Sequence, residues 1–266
     1  MSSTGECKMR LKLIFTFLIL LLQFPYAHGK EENWLSLFNT KNLDGWTPKF
    51  SGYKAGVNYK NTFSVIDGNL SVRYDEYNNF DDNFGHIFYK QEYSNFILKL
   101  EYRIHGEQVS GGPDWGIRNN GIMIYSQSPE SMGIDQDFPR SVEVQLLNGG
   151  DNDERSNGNV CTPGTHIVMD GKLITQHCIN SSSVTNRGED WVNVEVEVRA
   201  NESIRHKING VMVMEYTNPQ TDGRDEETPV TDLSHLSPLS SGYIALQAES
   251  HGFDFRNIML LDLSQN

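Results

Sequence analysis

Short segments in which apolar and polar residues alternate run through the whole chain and are separated by Gly, Asn and Asp. No stretch of twelve residues carries an apolar stripe at helical spacing, so the pattern predicts an all-β fold. Asp67-Gly68 and Asn209-Gly210 each separate two such segments, as in hairpins with type I′ turns. The predicted strands are residues 62–66, 69–74, 95–105, 121–125, 141–147, 191–200, 203–208, 211–216, 242–248 and 253–262.

This number of strands exceeds the roughly seven to nine of an immunoglobulin-like sandwich, and their spacing is too irregular for propeller blades. We therefore predict a lectin-like jelly-roll β-sandwich of two antiparallel sheets. In the strand 191–200, four alternating valines should face the core. Four long loops, rich in Gly, Asn and Asp, are expected to cluster at the rim of a cleft: residues 74–84, 106–119, 126–140 and 148–160.

Two strands have an unusual polar face. Because side chains alternate along a strand, Glu143 and Gln145 point away from the apolar residues of their strand. The same alternation places Gln247, Glu249 and His251 on one face of their strand. Carboxylate and amide groups with few lysines suit a ligand rich in hydroxyl groups, and a face that is simply exposed to water is the alternative.

The N-terminus has the features of a secretory signal peptide at residues 1–29. Basic residues precede the apolar run 13–22, and small residues stand at the expected cleavage site. The run is too short to span roughly 30 Å of hydrocarbon as a helix. The sequence thus predicts a secreted or periplasmic protein, with residues 30–266 forming one domain and no membrane segment left after cleavage.

Charge and cysteine content narrow the possible partners. The chain has a net charge of −13, and the predicted signal peptide removes more basic than acidic residues. Nucleic acid and anionic membranes are therefore poor partners. Cys161 and Cys178 remain in a chain bound for an oxidising compartment, so a disulfide between them is predicted.

Several segments together resemble the 3-keto-disaccharide hydrolase family. Residues 34–46 read WLSLFNTKNLDGW, and Thr40 stands where the family usually has Gly. The other matching segments are FILKLEYR at 96–103, NNGI at 119–122, EVQ at 143–145, GYIALQ at 242–247 and FRNI at 255–258. The resemblance covers nearly all of residues 30–266. It implies a concanavalin-like jelly roll that acts on glycosides whose sugar carries a ketone at its third carbon.

The strand that carries Glu143 differs from lectin-fold endoglucanases, which space their acids as E-x-D-x-x-E. Gln145 and Asn148 stand where the other two acids would be, so ordinary hydrolysis by paired carboxylates lacks its second group on this strand. A 3-keto sugar needs no such pair, because the ketone acidifies the hydrogen on the neighbouring second carbon. Elimination followed by addition of water would give net hydrolysis.

Candidates for the base are Glu143, His166 and His177. If Asp170-Gly171 is a hairpin turn, Val168 opposes Leu173, and the two histidines share one face. They would then hold a divalent metal with Glu143, or be ordinary surface residues. The same register places Cys161 opposite Asn180 and close to Cys178. A zinc site of both cysteines and both histidines lacks the usual ligand spacing.

Amide, carboxylate and guanidinium groups are the candidates for binding sugar hydroxyls. These groups are Asn120, Gln145, Gln247, Glu249 and Arg256, although Arg256 could instead pair with Asp254 or Glu249. Trp115 is the best candidate for stacking on a sugar face, whereas Trp46 is expected in the core. Three functions stay open: an enzyme acting on 3-keto-glycosides, a non-catalytic carbohydrate-binding module, and a conventional endoglycosidase.

Overall fold

Two antiparallel β-sheets packed face to face form the domain seen in a computed structural model. The structure describes Met1 and residues 33–200, 202–223 and 236–264, so the predicted signal peptide lies, apart from Met1, outside the described residues. None of the helices in these ranges is long and apolar enough to cross a membrane. The predicted lectin-like jelly roll is confirmed.

The elements in the described ranges follow in chain order. The strands are β1 (Trp34–Ser36), β2 (Trp46–Phe50), β3 (Phe63–Ile66), β4 (Asn69–Val72), β5 (Gly85–Tyr89), β6 (Phe96–His105), β7 (Asn119–Ser126), β8 (Val142–Leu147), β9 (Asn159–Cys161), β10 (Thr165–Met169), β11 (Lys172–Ile174), β12 (Cys178–Ile179), β13 (Val192–Arg199), β14 (Ser203–Ile208), β15 (Val211–Thr221), β16 (Tyr243–Ala248) and β17 (Gly252–Asp262). Three short 3₁₀ helices are Tyr59–Asn61, Asp114–Gly116 and Pro129–Ser131.

The two sheets differ in size. As far as the chain is described, the larger sheet has ten strands in the order β11-β10-β15-β14-β13-β6-β17-β4-β3, with β1 paired to β17. The smaller sheet has seven strands, ordered β12-β9-β8-β7-β16-β5-β2. The strands β8 and β16, whose polar faces stand out in the sequence, lie on either side of β7 at the centre of the smaller sheet.

The predicted hairpin turns form as expected. Asp67, Asp170 and Asn209 all have φ near +50°, and each is followed by a glycine with positive φ, as type I′ turns require. Val168 pairs with Leu173 across the turn at Asp170. This confirms the register predicted for that hairpin, although its second strand is shorter than expected.

The chain leaves the larger sheet directly after this hairpin. Strand β11 ends at Ile174, and the next strand, β12, pairs with β9 of the smaller sheet. Cys178 therefore lies directly opposite Cys161, and the predicted pairing of Cys161 with Asn180 is wrong. The hairpin register does not extend to the cysteines, because residues 175–177 cross from one sheet to the other.

The core lies between the sheets and determines which side chains face outward. The four valines of β13 are at most 3% exposed, which confirms their predicted core position. In the smaller sheet, Ile122, Val144 and Leu246 are likewise buried in the core. Each such side chain contributes about 1.5–3 kcal/mol when fully buried. Their alternate neighbours must then lie on the other face of this sheet, where the long loops cover them.

Candidate functional site

A cavity of about 400 Å³, lined by both polar and apolar side chains, lies on the outer face of the smaller sheet, under the long loops. Its floor comes from β7, β8 and β9, and its walls from the loops. The residues that line it are Trp115, Asn119, Phe138, Glu143, Gln145, Arg155, Cys161, Pro163, His177, Cys178 and Glu249. Three of the four predicted rim loops contribute lining residues, and Phe84 of the fourth stacks on Trp115. The predicted clustering of the loops is therefore confirmed.

Glu143 lies on the floor of this cavity and is only 6% exposed. Beside it, Gly121 of β7 leaves room for two side chains to pack over the backbone. A Cβ added at Gly121 would lie 2.5 Å from Oε1 of Glu143 and 2.5 Å from Oε1 of Gln247. The glycine therefore allows a carboxyl from β8 and an amide from β16 to meet above a strand that separates them.

Burial strongly perturbs Glu143. Loss of hydration raises the pKa of its carboxyl to about 8, and the neighbouring Gln247 amide opposes this shift. Glu249, 2% exposed, also lines the cavity, and burial followed by the charge of Glu143 raises its pKa well above the usual range. Two carboxyls that influence each other thus share one cavity, and near neutral pH at least one of them keeps its proton.

Buried polar atoms without hydrogen-bond partners concentrate at this place. Among the described residues nine such side-chain atoms occur, and seven belong to five residues on or beside the cavity floor: His86, Asn119, Glu143, Gln247 and Glu249. Native proteins pair nearly all buried polar atoms, because an unpaired one costs about 1–3 kcal/mol. A cluster of unpaired donors and acceptors is typical of a binding site for a polar ligand.

His86 and Lys49 are buried residues of the same face that the sequence pattern did not reveal. Each is at most 1% exposed, and His86 pairs with Gln247 on one side and Lys49 on the other. Burial, helped by the charge of Lys49, lowers the pKa of His86 to about 3, so its ring is neutral. The run His86-Ile87-Phe88-Tyr89, rich in β-branched and aromatic residues, was the signal that could have found this strand.

Polar groups on the cavity wall complete the site. Gln145 lines the cavity as predicted, and its Oε1 accepts a hydrogen bond of 3.0 Å from Asn159 Nδ2. This bond fixes the Gln145 amide and leaves its N–H groups for a ligand. Arg155 also lines the cavity, and its guanidinium donates to the carbonyl oxygens of Ile117, Asn148 and Trp115. It places a fixed positive charge in the wall of the cavity.

Aromatic rings form another part of the wall. Trp115 stacks on Phe84 with ring centroids 5.5 Å apart and an angle of 11° between the planes. Phe138 packs beside both rings, at 5.1 Å from Phe84 and 6.3 Å from Trp115. Trp115 is 49% exposed, so one face of this wall is open. Trp46, in contrast, is buried and donates from its indole to the Leu37 carbonyl, as expected for a core residue.

Asn120 and Arg256 do not line the cavity, so the structure does not place them where their predicted roles in binding sugar would require. Asn120 is fully buried on the core side of β7, where its amide donates to the Gln247 carbonyl and accepts from the Gly121 amide. Arg256 lies on the larger sheet. It pairs with Glu101 at 2.6 Å and covers the ring of Trp191.

His251 does not join Gln247 and Glu249, because β16 ends at Ala248 and the chain bends there. Its Nδ1 accepts from the Arg118 amide at 3.3 Å, and its Nε2 lies 3.1 Å from the Gly106 carbonyl. Burial lowers the pKa of this ring to about 4, so it is neutral. His251 therefore connects the loop residues Gly106 and Arg118. Because the strand ends before His251, the alternation that starts at Gln247 does not continue to it.

The two histidines of the predicted hairpin separate. His177 lines the cavity next to Cys178, but His166 belongs to β10 and pairs with Gln220 in the larger sheet. Their predicted common face is wrong, because the chain changes sheets between them. In the described part of the chain no group of three His, Cys, Asp or Glu residues is placed to hold a metal ion. Glu143, His166 and His177 therefore do not form the predicted ligand set.

The predicted disulfide is confirmed. Cys161 and Cys178 are bonded, with a Cα–Cα distance of 4.1 Å, and both line the cavity. Cys161 is also the direct neighbour of Glu143 across β8 and β9. The bridge thus forms a covalent side wall next to the buried carboxyl.

Comparison with known proteins gives a consistent result. A family model described as a 3-keto-alpha-glucoside-1,2-lyase-like domain matches residues 33–261. Two solved structures from Parabacteroides distasonis ATCC 8503, each described as a candidate glycosyl hydrolase, are similar to this chain with TM-scores of 0.51. Their identities are 21% and 20%, and each match covers 87% of this chain and 100% or 94% of the other. At this identity the likeness shows the fold. Among curated proteins, no sequence matches the chain.

Proposed function

The chain belongs to the 3-keto-alpha-glucoside-1,2-lyase-like family, and we propose that it is a secreted enzyme that cleaves the glycosidic bond of 3-keto-glycosides. The observation that carries this proposal is the pair of buried carboxyls, Glu143 and Glu249, in one cavity with unpaired polar atoms around it. A base and an acid are the two groups that an elimination next to a ketone requires.

In the proposed reaction the Glu143 carboxylate removes the proton from the second carbon of the 3-keto sugar. The electrons of that bond form a double bond between the first and second carbons as the bond to the glycosidic oxygen breaks. Glu249 gives its proton to that oxygen, which leaves as the free alcohol. The remaining 2-hydroxy-3-keto-glycal can then add water, and the sum of both steps is hydrolysis.

The surroundings of each carboxyl support these roles. A carboxylate with a raised pKa is a stronger base than an exposed one, which suits abstraction of a carbon-bound proton. Glu249, whose pKa is also raised, supplies the proton. Arg155 offers positive charge for the enolate oxygen, and Asn119 and Gln145 offer amide groups for the remaining hydroxyls. His177 is a second candidate for the base at the exposed end of the cavity.

Secretion and metal dependence are further parts of the proposal. The disulfide supports an oxidising compartment, in line with the signal peptide expected at residues 1–29. Because His166 lies in the other sheet, we derive no step through a metal, and a divalent ion stays a prediction. The proposed partner is a glycoside or oligosaccharide.

A conventional glycosidase is the second candidate function. The sequence places Gln145 and Asn148 where the second acid would be, but the structure supplies Glu249 from beyond the end of β16 instead. Two carboxyls facing one cavity could act directly on an unoxidised glycoside. The lack of a second acid on the strand of Glu143 therefore does not exclude this function.

The test is to incubate the purified protein with a 3-keto-glucoside and with its unoxidised parent, each with and without a chelator. We expect the leaving group to be released from the 3-keto compound alone. Release from both compounds would favour the conventional glycosidase. Binding without release from either would favour a carbohydrate-binding module. If the chelator abolished release of the leaving group, the reaction would require a metal ion.

A proton-exchange experiment distinguishes the proposed roles of the two carboxyls. In D₂O, the hydrogen on the second carbon of the 3-keto sugar should exchange when Glu143 is intact, and this loss is visible by NMR. We expect Glu143→Gln to abolish both exchange and release, and Glu249→Gln to slow release more than exchange. Each change should lower kcat by about 10²–10⁴-fold. The exposed Glu202→Gln, on the turn before β14, is the matched control.

A further inference from the structure

Glu249 depends on the backbone that carries it for its position in the cavity. Its Oε2 atom is buried and has no hydrogen-bond partner among the described residues. Strand β16 ends one residue earlier, at Ala248, so the pairing of the strand does not fix this residue either. The bend that follows Glu249 therefore determines where its carboxyl lies.

Ser250 forms this bend in a conformation that residues with a side chain rarely adopt. Its φ is +87°, in the left-handed region that favours glycine, and the residue is fully buried. Three hydrogen bonds hold it: Ser250 N donates to Tyr74 Oη at 2.7 Å, Gln108 Nε2 donates to Ser250 Oγ at 2.8 Å, and Val109 N donates to the Ser250 carbonyl oxygen at 2.9 Å. A strained conformation persists only where its surroundings impose it, so these bonds maintain the bend.

The loop 106–119 also packs its backbone directly against the bend. A Cβ added at Gly116 would lie 2.7 Å from the backbone oxygen of Glu249 and 2.8 Å from Ser250 Oγ. The absence of a side chain at this glycine allows the close approach. The loop thus supplies two of the three hydrogen bonds and a backbone contact, and Tyr74, which follows β4, supplies the third bond.

Tyr74 is in addition an electrostatic neighbour of Glu249. Burial raises the pKa of its hydroxyl well above the usual range, and the charges of Tyr77 and Glu249 add to this shift. The hydroxyl is therefore neutral and acts as a hydrogen-bond acceptor for the bend. Edge-on contacts with Tyr77 and Phe80, at 5.0 and 6.1 Å between ring centroids, fix the Tyr74 ring.

Resting on the proposed function, we infer that Tyr74 and Gln108 are positioning residues for the proposed acid, Glu249. They hold the strained bend at Ser250 and thereby keep that carboxyl in the cavity. Neither of their side chains lines the cavity, so both act through Glu249. Their loss should slow the transfer of a proton to the leaving group and spare the removal of a proton by Glu143.

The first experiment measures two rates on one 3-keto-glucoside in D₂O: exchange of the hydrogen on the second carbon, and release of the leaving group. We expect Tyr74→Phe and Gln108→Leu each to slow release about tenfold and to change exchange by less than about twofold, because a small displacement of an acid is costly. Tyr125→Phe is the matched control. It also removes a tyrosine hydroxyl bonded to the backbone at 2.7 Å, in this case to the Ser94 carbonyl, and should change neither rate.

Two results of this experiment would overturn the inference. Equal slowing of exchange and release would give Tyr74 and Gln108 a general structural role. Unchanged release in both variants would show that Glu249 holds its position without them. Circular dichroism and the urea midpoint of each variant show whether folding is intact.

A double mutant tests whether Tyr74 acts through Glu249. We expect Tyr74→Phe to slow release no further when Glu249 is already replaced by Gln, because the group that it positions is then absent. If the two losses multiply in the double mutant, Tyr74 acts independently of Glu249 and the inference is wrong.

The strain at the bend is measured without any turnover. Ser250→Gly and Ser250→Ala both lose the hydrogen bond from Gln108, but only glycine adopts a φ of +87° without strain. The urea midpoint of Ser250→Gly should therefore exceed that of Ser250→Ala. The reverse order would show an unstrained bend and would overturn the inference.

Carboxyl ¹³C NMR keeps the inference separate from the proposed reaction. The resonance of Glu249 is assigned by its loss in Glu249→Gln. We expect Tyr74→Phe to shift this resonance and Tyr125→Phe to leave it in place; an unshifted resonance in Tyr74→Phe would contradict the positioning role. If the wild type shows neither exchange nor release, the proposed function fails, and the NMR measurement alone then decides whether Tyr74 positions Glu249.

Discussion

Replacing Glu143 by Gln should make the stability of the protein depend less on pH. In the folded state the pKa of this carboxyl is raised to about 8, from an ordinary value of 4.5. Between these two values the unfolded chain has released the proton and the folded chain keeps it. The free energy of unfolding therefore falls as pH rises through this window, and the loss is complete above about pH 8. Gln cannot ionise, so the variant escapes this loss.

The size of the effect follows from the shift. One pKa unit corresponds to about 1.36 kcal/mol, so a shift from 4.5 to about 8 corresponds to roughly 5 kcal/mol at most. Hydrogen bonds gained or lost by the amide are the same at every pH and cancel when two pH values are compared. We expect the variant to gain several kcal/mol relative to wild type between pH 5 and pH 9.

The assay is urea unfolding at pH 5, 7 and 9 for wild type, Glu143→Gln and the exposed control Glu202→Gln. The difference between Glu143→Gln and wild type should grow steadily over this range, while the control follows wild type. A difference that is the same at all three values would show that Glu143 ionises normally. Glu143 would then be no stronger as a base than an exposed carboxylate.

Three further changes test other parts of the site. Gly121→Ala should lower kcat/KM at least tenfold with unchanged circular dichroism, since the added Cβ would lie 2.5 Å from oxygens of Glu143 and Gln247; normal turnover would refute that contact. Replacing Cys161 and Cys178 together by Ser should lower the free energy of unfolding by roughly 3 kcal/mol, which a urea midpoint measures, and an unchanged midpoint would contradict it. His166→Ala should keep kcat/KM within twofold of wild type, because His166 lies in the larger sheet; a metal bound by Glu143, His166 and His177 would make it as harmful as His177→Ala.

The fold was predictable because alternation and turn residues are local signals. The valines of β13 and the Asn209-Gly210 turn each indicate their conformation within a few residues. Short strands without a clear signal were missed, such as β12, which has two residues. Its position depends on pairing with β9 and on the disulfide, and both are contacts between distant parts of the chain.

The site was predictable only where a regular strand continued. Glu143 and Gln145 were found because the alternation holds along β8, and Glu249 was found although it is the first residue after β16. His251 was misplaced because the chain bends after Ala248, and His166 was misplaced because the chain changes sheets. His86 and Lys49 carry no motif, and only the strand order places His86 beside Gln247.

The unpaired polar atoms on the cavity floor also suggest how to identify the natural substrate. A compound that pairs these atoms binds the native state but not the unfolded chain, and it raises the melting temperature by mass action. A thermal-shift screen of a glycoside library would rank compounds by how well they complete this set of hydrogen bonds. Because binding alone produces the shift, such a screen would work equally well on a variant that is unable to turn its substrate over.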